Sequence, residues 1–186
     1  MESIARMPKP DMSTDIPSAA PSISPTTTGK SLLFWLALAA VLIVLDQATK
    51  IYFELNFDYQ ERLNVLPFFD FILVYNTGAA FSFLADAGGW QHWFFIGLAF
   101  AAVIFIIFQL RSHKQDSFFC FSLCLIMAGA IGNVIDRIAY GHVIDFLLFY
   151  WNNWYFPAFN LADCFITVGA TLVVVQELFM RKKDKP

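Results

Sequence analysis

Long apolar runs alternate with short polar ones along this chain. Four of the runs, Ser31–Phe53, Trp90–Leu110, Ser117–Ile135 and Leu161–Met180, are free of charge or nearly so. Each is about 20 residues long, enough for a helix to cross a hydrocarbon core of about 30 Å. The second and third hold no Asp, Glu, Lys or Arg; the first carries Asp46 and Lys50 near its end, and the fourth carries Asp163 and Glu177. Two further apolar runs, Phe68–Tyr75 and Val143–Trp151, are too short to span. They are rich in β-branched and aromatic residues and end at turn signals, Asn76–Gly78 and Asn152–Asn153, which predicts strands or interfacial segments between the spans. Residues 1–30 break the pattern, with five of the eight prolines (Pro8, Pro10, Pro17, Pro21, Pro25) among Ser and Thr. Such a stretch cannot bury enough apolar surface to fold, and it lacks the apolar centre of a signal peptide. The expected fold class is an all-α integral membrane protein with a small β component. A four-helix domain over 31–180 lies between a disordered tail, 1–30, and a basic one, 181–186.

Composition agrees. The 186 residues are 58% hydrophobic and only 15% charged, where a soluble domain carries about 25%. The distribution of basic residues sets an expected orientation. Lys30, Arg111, Lys114, Arg181, Lys182, Lys183 and Lys185 lie at the termini and in the 111–116 loop, whereas 54–89 holds only Arg62 and 136–160 only Arg137. Both termini are therefore expected in the cytoplasm and the two long loops outside, with Trp90, Trp93, Trp151 and Trp154 at the outer interface. Cys120 and Cys124, four apart in an apolar run, read as packed thiols rather than a zinc site, which needs more ligands.

That orientation gathers the polar clusters at one face: "DQATK" (46–50), "NTGAAFSF" (76–83), "GNVIDR" (132–137), "VIDF" and "FNLAD". Asp46 and Lys50 are spaced i, i+4, as in a helical ion pair, and their plain reading is mutual neutralisation at a helix end. Asn133, Asp136 and Arg137 share a helix face, and their plain reading is an Asp–Arg clamp holding the outer loop. Charges at membrane depth are costly enough to raise a functional reading of both groups. Asp145 and Asp163 have no comparable partner in sequence. They flank one outer hairpin, with span 3 leaving and span 4 re-entering on the same side. Two carboxylates close together in an apolar setting share a proton and can act as general base and general acid on one water. The plain reading of Asp163 alone is a helix cap, a place that Asn160 could also fill. No nucleophile elbow, P-loop or dinucleotide fingerprint is present, and "HVID" lacks the ligands of a metal site.

The blocks "DQATK", "NTGAAFSF", "GAIGNVIDRIAYGHVIDF" and "FNLADCFITVG" together resemble, in order and spacing, those of the bacterial lipoprotein signal peptidases (signal peptidase II). The resemblance spans roughly residues 31–180. It implies four transmembrane helices with an extramembrane β-sheet cradle on the outer side of the plasma membrane. It also implies an aspartic endopeptidase that cuts prolipoproteins just before a diacylglyceryl-modified cysteine. Carried onto this chain, it makes Asp145 and Asp163 the catalytic dyad. Asp46, Lys50, Asn76, Gly78, Asn133, Asp136, Arg137 and Asn160 become substrate-binding or site-supporting residues. It further implies inhibition by globomycin-type cyclic peptides, contact with membrane lipid, a monomer, and no metal, cofactor or nucleic acid. Two positions depart from the family pattern: Ala128, where glycine is frequent, and Cys164, which follows Asp163 where smaller residues are usual.

Two other function classes stay open on the residues alone. A small transporter or channel subunit also uses intramembrane acids, although here they cluster at one face and no inverted repeat is visible. An assembly factor would use the polar face to dock a partner.

Overall fold

The computed structural model describes residues 29–78 and 89–180. The elements, in chain order, are α1 (Leu32–Asn56), β1 (Arg62–Leu66), β2 (Phe69–Asn76), α2 (Trp90–Ser112), α3 (Ser117–Tyr140), β3 (Val143–Trp151), β4 (Trp154–Tyr155) and α4 (Leu161–Val175). A π-helical turn, Gln176–Met180, continues α4. Among the described residues, four helices are long and apolar enough to cross a membrane. The segments 1–28, 79–88 and 181–186 lie outside the described residues. With them go the expected disordered and basic tails and the second half of "NTGAAFSF".

Two helices run well past the expected end and a third changes type near its own, each with a physical reason. The first span runs on to Asn56, because its last turn is anchored by Phe53 under the sheet. The third runs on past Ile135 to Tyr140, because Asp136 and Arg137 are paired within the fold rather than marking a helix end. It stops at Gly141, which takes φ 80, a left-handed conformation suited to glycine. The fourth changes from α to π at Gln176, whose side-chain amide donates to Asp116, the N-cap of α3.

The apolar patterning of α3 explains its central place. In its most apolar stretch 61% of residues are buried within the protein, against 17%, 17% and 11% in α1, α2 and α4. The other three helices therefore pack around α3 and turn Leu33, Val44, Phe105, Phe108 and Val174 outward. The core between α1, α2 and α3 is built from Trp35, Ala39, Ile106, Leu110, Leu123 and Met127, with Cys120 and Cys124 fully buried beside them as packed thiols. Small residues set the α3–α4 seam. A Cβ at Gly129 would lie 2.3 Å from the Ala162 carbonyl oxygen and 2.7 Å from Ile166 Cγ1.

The four strands form one antiparallel sheet in the order β1-β2-β3-β4. The two apolar runs that predicted strands became β2 and β3. β1 ("RLNVL") and β4 were not foreseen. In β2–β3, Val74 lies opposite Asp145 and Asn76 opposite Val143. Ile144 and Phe146 point down onto Phe53 and Leu73, with Phe53 and Phe146 stacked at 4.3 Å. By the two-residue period of a strand, Asp145 faces the other way. After β4 the chain returns alongside β3, where Phe146 and Leu147 N–H both donate to the Phe159 carbonyl (3.0 and 2.8 Å). That return delivers Asn160 and the start of α4 beside Asp145.

A methyl group at the α3–α4 seam should separate the two helices. Gly129→Ala is expected to lower thermal stability by about 1–3 kcal/mol. Gly97→Ala on α2, whose Cβ meets nothing within 4 Å, is expected to be neutral or slightly stabilising. Thermal unfolding of the two variants side by side in the same detergent checks the contrast.

Candidate active site

The polar clusters of the sequence meet at one end of the bundle, and they sort into an ion cluster and an acid pair. At the ion cluster α1 presents Asp46, Gln47 and Lys50, while α3 presents Asn133 and Asp136. Lys50 Nζ lies 3.0 Å from Asp46 Oδ2 and 2.9 Å from Asp136 Oδ2, and donates to Asn133 Oδ1 at 3.0 Å. An ammonium has three N–H donors, so all are used. Lys50 is 1% exposed and both aspartates 0%. The i, i+4 pair therefore forms, but as part of a buried triad with Asp136 rather than as a self-contained pair at a helix end. Asp136 turns to Lys50, so the Asp136–Arg137 clamp of the plain reading is not what forms.

Each carboxylate of the triad also joins elements. Asp46 Oδ1 accepts from the Ala162 N–H (2.8 Å), one of the unpaired donors in the first turn of α4. Asp136 Oδ2 accepts from the Ile144 N–H (3.2 Å) at the start of β3. Gln47 Nε2 donates to both Asp46 (3.1 Å) and Asp136 (2.9 Å). Gly132 lets α1 come this close, because a Cβ there would lie 2.4 Å from Asp46 Oδ2. Gln47 had no role assigned from sequence, although it sits in "DQATK"; a polar side chain inside an apolar span was the available signal. Arg62 and Asp70, ion-paired on the sheet with Asn64 and Tyr150 around them, also escaped notice. The alternation of polar and apolar residues in 62–66 carried that signal weakly.

Asp145 and Asp163 meet around Asn160. Asn160 Nδ2 donates to Asp145 Oδ1 at 2.7 Å. Its Oδ1 accepts from the Asp163 N–H (3.0 Å), and its own N–H donates to Asp163 Oδ2 (3.3 Å). This is a capping box: Asn160 is the N-cap of α4 and Asp163 its third residue. The cap reading is thus true of Asn160, whose side-chain amide also binds Asp145, so that one asparagine bridges the two acids. Asn133 Nδ2 donates to Asp163 Oδ1 at 2.8 Å, and Asn76 Nδ2 donates to Asp145 Oδ2 at 3.1 Å. Arg137 lies over the Phe95 ring (5.1 Å), donates to the Gly78 carbonyl (2.9 Å), and so steadies the turn that carries Asn76. Gly78 N–H in turn donates to Asn76 Oδ1 (3.0 Å).

Asp145 is 2% exposed. Burial, and next the charge of Asp163, push its carboxyl up to about 8 from the ordinary 3.8, against the opposing bonds from Asn76 and Asn160. Asp163 is half-buried and lines a cavity of about 720 Å³ between α2, α3 and α4. Asn76, Asn133 and Arg137 share its polar end; Phe95, Ala102 and Val168 are among its apolar walls. Among the described residues, no group of three or more His, Cys, Asp or Glu side chains is arranged to hold a metal ion.

The model of the signal peptidase (SPase) II family matches residues 38–179. The chain belongs to the signal peptidase II family. Among curated relatives, the lipoprotein signal peptidase of Cupriavidus pinatubonensis is 56% identical over 146 residues, covering 78% of this chain and 83% of that protein. The lipoprotein signal peptidase of Neisseria meningitidis is 51% identical over 167 residues, covering 88% and 99%. A solved bacterial membrane enzyme superposes with a TM-score of 0.76 at 26% identity, covering 85% of this chain and 95% of that one. This signal peptidase II is accordingly an aspartic peptidase and a multi-pass bacterial membrane protein.

The raised pKa of Asp145 has a stability consequence. Between about pH 4 and 8 the folded state holds a proton that the unfolded chain has released. The stability present below the ordinary value is therefore lost as pH rises toward 8. Asp145→Asn carries no such burden. Its melting temperature relative to wild type is expected to climb from pH 4 to pH 8 and then level off, as read by thermal unfolding across that range.

Proposed function

We propose that Asp145 and Asp163 are the catalytic dyad of this peptidase. With them it removes the signal peptide of a prolipoprotein on the amino side of a diacylglyceryl-modified cysteine. The observation that carries this reading is the capping box that holds the two carboxyls on one asparagine beside an apolar cavity. In this reading Asp163, at the cavity wall, takes a proton from water as the water attacks the scissile carbonyl. Asp145, which holds its proton at neutral pH, gives it to the leaving amine of the lipidated cysteine. The pair keeps one proton throughout, and its passage from Asp163 back to Asp145 resets the site for the next turnover.

The remaining residues have supporting roles. Asn76, Asn133 and Asn160 orient the carboxyls, and Gly78 and Arg137 hold the turn behind Asn76. Asp46, Lys50 and Asp136 hold α1, α3, α4 and β3 together beneath them. The distribution of Lys and Arg supports cytoplasmic termini and an active site at the outer face of the membrane. The sheet is then the outer cradle, and exposed Trp90, Trp93, Trp151 and Trp154 lie at the interface. Leu98 and Val168 line the cavity while standing half-exposed on the lipid side of their helices, which supports lateral entry of a substrate whose acyl chains stay in lipid. Occupation of the same cavity by globomycin-type peptides, and action as a monomer, belong to this reading.

Asp145→Asn and Asp163→Asn are each expected to cut cleavage of a diacylglyceryl prolipoprotein by about a thousandfold or more while the protein stays folded. A gel-shift processing assay reads this, and near-normal maturation by either variant overturns the dyad. In the same assay a chelator is expected to leave the wild-type rate unchanged, and a loss of activity restored by metal would overturn the metal-free scheme.

A further inference from the structure

Three asparagine amides point their nitrogens at the acid pair, and in each case something fixes which way the amide faces. For Asn76 and Asn160 it is a backbone N–H of the same local segment, Gly78 and Asp163, bound to the side-chain oxygen. For Asn133 it is Lys50, which comes from another helix and is not hydrogen-bonded to either acid of the pair. We propose that Lys50 is a positioning residue: by holding the oxygen of Asn133 it forces the nitrogen toward Asp163, and so keeps Asp163 an acceptor, the state a general base needs. This rests on the reading of Asp145 and Asp163 as the dyad.

An ammonium only donates, so the atom of Asn133 facing it at 3.0 Å is the oxygen. The nitrogen is then left at 2.8 Å from Asp163 Oδ1. Rotating the amide would set two acceptors against each other at that distance, which is tolerated only with a proton on Asp163. The other donor to Asn133 Oδ1 is Asn160 Nδ2 at 3.3 Å. It cannot substitute for Lys50, because its two hydrogens are already shared with Asp145 Oδ1 at 2.7 Å and the Ile144 carbonyl at 3.2 Å. Without Lys50 the rotated amide and a protonated Asp163 become available together, and the base is lost at a higher pH.

Other charges also act on Asp163: Asp145 from β3 and Arg137 from α3, with Cys164 beside it on α4, while Asp46 and Asp136 are held by Lys50. Removing Lys50 alone would change their balance as well as the amide. The test therefore conserves charge. Lys50, Asp46 and Asp136 together carry one net negative charge, and so does Asp46 alone in a variant combining Lys50→Met with Asp136→Asn. The full-length chain in lipid–detergent micelles cleaves a lipidated test peptide under single-turnover conditions, from about pH 5 to about pH 9, with the wild type as the charge-matched reference.

The expected result is an acid limb displaced upward by about one pH unit, the scale of one lost charge-assisted hydrogen bond. On that limb the rate at a given pH should fall about tenfold, with KM held within about twofold. An unchanged limb overturns the proposal. Lys50→Gln with Asp136→Asn, whose amide can pair with either orientation of Asn133, is the second variant and should show the same displacement. If neither combination folds, Lys50 is a folding residue and the proposal falls. The parent reading fails separately: it is lost if Asp145→Asn or Asp163→Asn still cleaves, whatever the Lys50 variants do.

Discussion

The end of the bundle that carries the site depends on one buried ammonium. Lys50 stands between Asp46 and Asp136 with almost no exposed surface. Taking such charges out of water is expensive, and their mutual attraction offsets that only when every donor and acceptor finds a partner. Here each does, and the partners are the places where the fold must be joined. Asp46 reaches the first turn of α4, Asp136 reaches the start of β3, and Gln47 ties the two acids to each other. Removing the cation would leave two uncompensated carboxylates at the junction of four elements, a loss of about 3–5 kcal/mol for a buried pair broken on one side.

The acid pair uses the opposite strategy. Around Asp145 and Asp163 the hydrogen-bond partners are neutral amides, and the cations are kept one group away. A direct lysine or arginine would lock a carboxylate in its charged form and leave no proton to share. Amides satisfy the oxygens without that penalty, which leaves burial free to raise Asp145. The ion cluster supplies rigidity, and the acid pair keeps its ability to change protonation state.

The spans were legible because a membrane helix writes itself as an uncharged run, and the two longer strands because turn signals bound them. Helix ends were less legible. Asp136 and Arg137 read as the end of a span, yet tertiary partners bury Asp136 and cover Arg137, and the helix continues to Tyr140. β1 and β4 were hidden by exposure and brevity: every residue of both is exposed, and β4 has two residues. Within the site, spacing exposed the Asp46–Lys50 pair but not its third member, because Asp136 belongs to another helix. Asn160 and Asp163 showed their capping pattern in sequence, but that the cap would also seat Asp145 came only from the return of the chain along β3.

The cavity wall carries a consequence for how rates are expressed. Leu98 and Val168 belong at once to the cavity and to the surface of the spans, so under the proposed reading a substrate arrives from the bilayer rather than from bulk water. Its effective concentration is then a mole fraction in the membrane, a two-dimensional quantity. Each additional methylene on an acyl chain, worth about 0.8 kcal/mol of partitioning, enriches the substrate in lipid without touching the enzyme. Adding inert lipid or detergent at fixed protein and substrate dilutes that surface and slows turnover, although no molar concentration in solution has changed.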